Sequence, residues 1–66
     1  MQLVINGKPV EFDDVRTIED LVRARGLKTA LVAVEQNGAI VPRDEFATRE
    51  VTEGDRLEIV HFVGGG

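Results

Sequence analysis

The chain has 66 residues, 42% apolar and 30% charged, a globular rather than a disordered balance in a chain long enough for one small domain. Eight Lys plus Arg against twelve Asp plus Glu give a formal net charge of −4, which argues against a nucleic-acid binder, since that needs a basic face to neutralise phosphates. Cysteine is absent, so disulfide frameworks, thiolate nucleophiles and Cys-ligated zinc or iron–sulfur sites are excluded.

Leu3 and Ile5 alternate with Gln2 and Val4, and Val10 and Phe12 alternate with Glu11. Asn6-Gly7 lies between these runs, and a type I′ turn needs positive φ at both of its central residues. The spacing predicts an antiparallel hairpin of residues 2–5 and 8–12. Pro9 has no N–H for a ladder, which places the second strand at a sheet edge. Thr17 then reads as a helix N-cap, with Glu19 and Asp20 in the first turn and Ile18, Leu21 and Val22 on one apolar face. Arg23 and Arg25 suit the C-terminal end, Gly26 stops the helix, and Leu27 folds back onto its last turn.

Leu31 to Val34 is a continuous apolar run, as expected of a strand covered on one face and partly shielded on the other. Asn37-Gly38 is a second tight-turn signal and leads into Ala39-Ile40-Val41. Pro42 then starts a helical turn over Arg43 to Phe46. After a turn at Glu53-Gly54-Asp55, residues 56–63 read as the last strand. Leu57 and Ile59 share one of its faces, and Val60 and Phe62 the other. Apolar residues on both faces predict a central position.

One sheet with one helix across it satisfies this order, with the last strand beside the first and parallel to it. The expected class is α+β, in the ubiquitin-like β-grasp arrangement, with a mixed sheet of four to five strands. The domain is expected to span 1–63, followed by a flexible glycine tail at 64–66. No apolar run approaches the roughly 20 residues that cross a bilayer. The segment after Met1 lacks the charged start of a signal peptide, so a complete cytoplasmic protein is expected.

Gly64, Gly65 and Gly66 have no element after them to turn towards. One reading is a frayed end. The other is a side-chain-free arm that threads a narrow channel and presents an unhindered carboxylate. A carboxylate is a poor electrophile, so that chemistry requires activation, as by ATP to an acyl-adenylate from which a nucleophile displaces AMP. Elsewhere the residues offer little catalysis. His61 has the strand parity of Leu57 and Ile59, which predicts a partly buried imidazole, and no thiol accompanies it. Asp13-Asp14 and Asp44-Glu45 read as solvated carboxylates rather than an acid–base pair. Arg23, Arg25 and Lys28 read as compensation of the helix C-terminus. Val60 and Phe62, with Val4 of matching parity, form a candidate partner-binding surface on the open sheet face near the tail.

Several segments in their order resemble the thiamine-biosynthesis sulfur-carrier (ThiS) family. These are the opening strand ending in Asn6-Gly7, the run from Val32 to Gly38, Ile40-Val41-Pro42-Arg43, and Gly54-Asp55 leading into Ile59-Val60-His61-Phe62-Val63-Gly64-Gly65-Gly66. The resemblance implies a protein co-substrate without catalysis of its own. It implies Gly66 as the acceptor that is adenylated and converted to a thiocarboxylate, and Gly64 and Gly65 as the threading arm. Implied partners are a ubiquitin-activator-like adenylating enzyme that uses ATP, a cysteine desulfurase or other persulfide donor, and thiazole synthase. No cofactor or metal is implied as bound. The small subunit of molybdopterin synthase shares this chemistry, and a non-reacting adaptor or an isopeptide-forming modifier shares the architecture. The Val41-Pro42-Arg43 segment favours the thiamine branch.

Overall fold

Asn and Gly tolerate the left-handed backbone that turns a hairpin with the twist of its strands. In the structure, a computed structural model that describes residues 1–62, φ is 50° at Asn6 and 83° at Gly7, and 50° and 87° at Asn37 and Gly38. Two hairpins result. One joins β1 (Gln2–Ile5) to β2 (Lys8–Glu11), and the other joins β3 (Val32–Gln36) to β4 (Ala39–Ile40). The last strand, β5 (Arg56–His61), inserts between them to give the order β2-β1-β5-β3-β4. It pairs in parallel with β1 through Val4–Arg56 and Ile5–Leu57, and antiparallel with β3 from Gln36–Leu57 to Val32–His61. The mixed sheet, the central last strand and the edge position of the Pro9 strand agree with the sequence pattern.

The one α-helix among the described residues, α1 (Ile18–Ala24), is seven residues long, too short to stand on propensity. It is held at its start by reciprocal bonds. Thr17 Oγ1 accepts from the Asp20 N–H at 3.1 Å, and the Asp20 carboxylate accepts from the N–H groups of Arg16 and Thr17 at 3.0 and 3.2 Å. The carbonyls of Arg49 and Phe46 take the next two N–H groups, those of Ile18 and Glu19, at 2.9 Å each. Gly26, at φ 74°, ends the helix, and the Leu27 N–H turns back to the Val22 carbonyl at 3.1 Å.

Burial follows the two periodicities. Ile18, Leu21 and Val22 of the helix lie in one core with Leu3 and Ile5 of β1, Val32 and Val34 of β3, and Leu57 and Ile59 of β5. Val15, Val41, Phe46 and Val51 complete that core. Phe46 follows the 3₁₀ turn Arg43–Glu45, which drops its ring inward. His61 departs from expectation: it has the inward parity but is exposed. Buried side chains on β5 stop at Ile59, so alternation alone does not cover the imidazole, which meets water at the strand end. No helix among the described residues is long and apolar enough to cross a membrane. Val63 and the expected tail at 64–66 lie outside the described residues.

Candidate functional site

Alternation along β5 sends Leu57 and Ile59 into the core and Val60 to the opposite sheet face. Val60 is 56% exposed and Phe62 is 50% exposed. Ala33 stands across from Val60, and the Phe62 N–H donates to the Leu31 carbonyl at 2.7 Å, so Leu31 stands across from Phe62. Two apolar rows therefore sit at the end of the sheet where the chain runs on towards Gly64, Gly65 and Gly66. Those three glycines lie outside the described residues.

Val4 is half-buried on this same face, but its register partner is Arg56. That is four residues before Val60, or about 13 Å at the usual rise, so Val4 does not adjoin the two rows. Ile40 does belong to the face and was missed by sequence reasoning: it is 66% exposed and pairs with Glu35. The signal was present, because a two-residue Asn37-Gly38 turn sets that register. Glu35 in turn pairs with Glu58, so two carboxylates stand opposite each other between Ile40 and the Val60 row.

Side chains fix β5 where backbone pairing stops. Asn6 Oδ1 accepts from the Ile59 N–H at 2.8 Å, and its Nδ2 donates to the Ile59 carbonyl at 3.2 Å. At the strand's other end Asn37 Oδ1 accepts from the Arg56 N–H at 2.9 Å. Asp55 accepts from Gln36 Nε2 at 3.0 Å, Asn37 Nδ2 at 3.1 Å, and the Thr52 N–H and hydroxyl at 2.9 and 3.1 Å. Burial pushes the Asp55 carboxyl up, but these bonds outweigh it and hold the group below its ordinary value. Arg43 donates to the Val32 carbonyl at 2.7 Å, occupying a β3 edge group that the two-residue β4 does not reach. Sequence reasoning saw turns at Asn6, Asn37 and Asp55 and a helical turn at Arg43, but not the side-chain bonds.

The other candidates do not converge. Asp13, Asp14 and Asp44 are exposed, and Glu45 pairs with Arg49. Arg23 pairs with Glu19 at 3.0 Å, while Arg25 and Lys28 face water. Among the described residues there is no group of three or more potential metal ligands and no enclosed pocket. What the described residues offer is a platform: a fixed central strand with an apolar surface beside its exit.

A five-stranded mixed sheet carrying one helix is the ubiquitin-like β-grasp, and the solved relatives share it. A crystal structure of the thiamine biosynthesis protein ThiS from Geobacter metallireducens superposes with a TM-score of 0.82 at 35% identity, covering 100% of both chains. The sequence profile of the ThiS family matches residues 3–66, and the chain belongs to that family. It is 42% identical over 65 residues to the sulfur carrier protein ThiS of Bacillus subtilis, covering 97% of this chain and 98% of that one. It is also 47% identical over 66 residues to a thiazole synthase of Paramagnetospirillum magneticum, of whose length it spans 20%. A second thiazole synthase, from Magnetococcus marinus, matches at 38% identity over the same share of its length.

Proposed function

We propose that this chain carries sulfur on Gly66 and delivers it to a thiazole synthase. The carboxylate attacks the α-phosphorus of ATP within a ubiquitin-activator-like enzyme, giving an acyl-adenylate and pyrophosphate. The terminal sulfur of a persulfide, supplied by a cysteine desulfurase, attacks the acyl carbon and AMP leaves. A thiol then takes the other sulfur of the S–S bond, leaving the thiocarboxylate that thiazole synthase consumes. The chain's own part is to be held and to reach, with Gly64 and Gly65 as the arm and Val60 and Phe62 as the grip. Gly is suited to the arm because it lacks a Cβ that would jam a narrow channel.

The observation that carries this reading is the end-to-end match to a sulfur carrier. The exposed pair of Val60 and Phe62 beside the exit of β5 supports it, since apolar surface at a strand's end favours docking there. Two relatives named thiazole synthase contain a region like this one within a longer protein, which supports thiazole synthase as a partner. The chain is a co-substrate in this scheme and holds no cofactor; ATP belongs to the activating enzyme, and the setting is the cytoplasm. The test is intact mass after incubation with ATP, a desulfurase, cysteine and the activating enzyme. Exchange of one oxygen for sulfur on Gly66, located by fragmentation, is expected. An unchanged mass would leave a binding module, and attachment to lysines a modifier.

A further inference from the structure

Resting on the sulfur-carrier reading, we propose that Asn6 is a positioning residue: its carboxamide stands in for the strand residue that β1 no longer supplies, and so aims the end of β5. Backbone pairing between β1 and β5 ends at Ile5–Leu57, because the chain turns away at Asn6-Gly7. β5 nevertheless continues to His61. On its β3 side it stays bonded as far as the Phe62 N–H. On its β1 side, beyond Leu57, the bonds among the described residues are the two from the Asn6 side chain to Ile59. A strand tethered along one edge twists about that edge; a second tether at Ile59 removes the freedom. Gly66 stands seven residues farther along, and acyl transfer needs its atoms within about 3 to 3.5 Å of attack, so the point from which the last residues leave β5 bears on how often Gly66 comes within that distance.

The residue type at position 6 fits this role. The left-handed φ admits Gly, Asn or Asp with ease. Gly would serve the turn alone. Asp would accept from the Ile59 N–H but set a carboxylate oxygen against the Ile59 carbonyl. Asn alone of the three meets an N–H and a C=O together. The molecule also contains its own control. Asn37 occupies the same kind of turn and also accepts from a β5 N–H, but from Arg56, at the end of the strand remote from the tail.

The test compares Asn6→Gly, Asn6→Asp and Asn37→Gly with the wild type in ATP–pyrophosphate exchange by the cognate adenylating enzyme, across carrier concentrations. For Asn6→Gly we expect kcat to fall about tenfold with KM within about twofold, because Val60 and Phe62 remain held from the β3 side. Asn6→Asp should fall between it and wild type, and Asn37→Gly should keep wild-type kcat although it too loses a β5 anchor. Amide exchange by NMR reports the same point without the enzyme. The Phe62 N–H should exchange about tenfold faster in Asn6→Gly and unchanged in Asn37→Gly. Wild-type kcat in Asn6→Gly, or equal losses in both Gly variants, would overturn the proposal. If the wild type itself supports no exchange, the sulfur-carrier reading fails, and the Phe62 amide alone then decides: unaltered, or altered equally in both variants, it refutes the role of Asn6.

Discussion

Asp55, the residue before β5, ties two segments to its carboxylate, the residue pair Gln36 and Asn37, and Thr52. Hydrogen bonds to a charged acceptor contribute more than neutral ones, and removal strands their donors, so Asp55→Ala should cost about 2 kcal/mol in urea unfolding. The sign of its pH dependence follows from the same bonds. Burial raises the Asp55 carboxyl and its partners outweigh that, holding it below 3.8; the N–H groups of Arg16 and Thr17 likewise hold Asp20 below 3.8. A depressed folded value stabilises above the unfolded one, and that stabilisation is lost as pH falls through the folded value. The Met1 ammonium is shifted the other way: its bond to Glu11 raises it above 8.0 against desolvation, so its contribution is full below 8.0 and lost as pH rises through the raised value. Urea midpoints should therefore be level between about pH 4 and 8 and decline on either side, and Asp55→Asn should flatten part of the acid limb. None of this was legible in the sequence. Glu53-Gly54-Asp55 reads as a turn, but its amide partners lie 18 and 19 residues upstream and meet it only once β3 and β5 have paired.

The elements were more legible, since each depends on local pattern. Thr17 and Gly26 bracket the helix because cap preferences act over a few residues. Asp20 reads in the sequence as first-turn charge; the structure adds the return bond that makes a capping box. Thr17→Ala should cost about 1 kcal/mol, measured as a lowered thermal midpoint with unchanged β-sheet signal. Strand alternation was equally clear, and it misled at one point, His61, where parity outlasted the core. What alternation within one strand does not reveal is the neighbour in the next. Glu35 and Glu58 are unremarkable singly, and only the β3–β5 register sets them opposite each other. Like charges so placed are destabilising, so Glu58→Lys should raise stability by a few tenths of a kcal/mol, more at low salt than at high. An unchanged or lowered midpoint at low ionic strength would mean that the two carboxylates diverge into solvent.

At the scale of the whole molecule, the order hairpin, helix, hairpin, strand admits few topologies, and the two-faced apolar pattern of residues 57–62 puts the last strand in the middle. That much could be read before any coordinates; the separation of Val4 from Val60 could not, because it depends on where the parallel register starts. The central strand serves two functions in the proposed reaction, grip and reach, and two variants separate them. Phe62→Asp places a charge into the contact that the partner would desolvate, at a cost of roughly 2 kcal/mol or more in binding. Deleting Gly66 leaves Gly65 as an equivalent terminus withdrawn by about 3.5 Å, comparable with the whole near-attack distance. Among the described residues the buried side chains run from Leu3 to Ile59 and do not include Phe62, and both thermal midpoints are expected to match the wild type. With the adenylating enzyme, Phe62→Asp should bind about thirtyfold or more weakly, the equivalent of that free energy, and recover exchange at high carrier concentration. The shortened chain should bind as wild type and fail to exchange at any concentration. Wild-type binding by folded Phe62→Asp would remove the grip from this face, and wild-type exchange by the shortened chain would remove the reaction from Gly66.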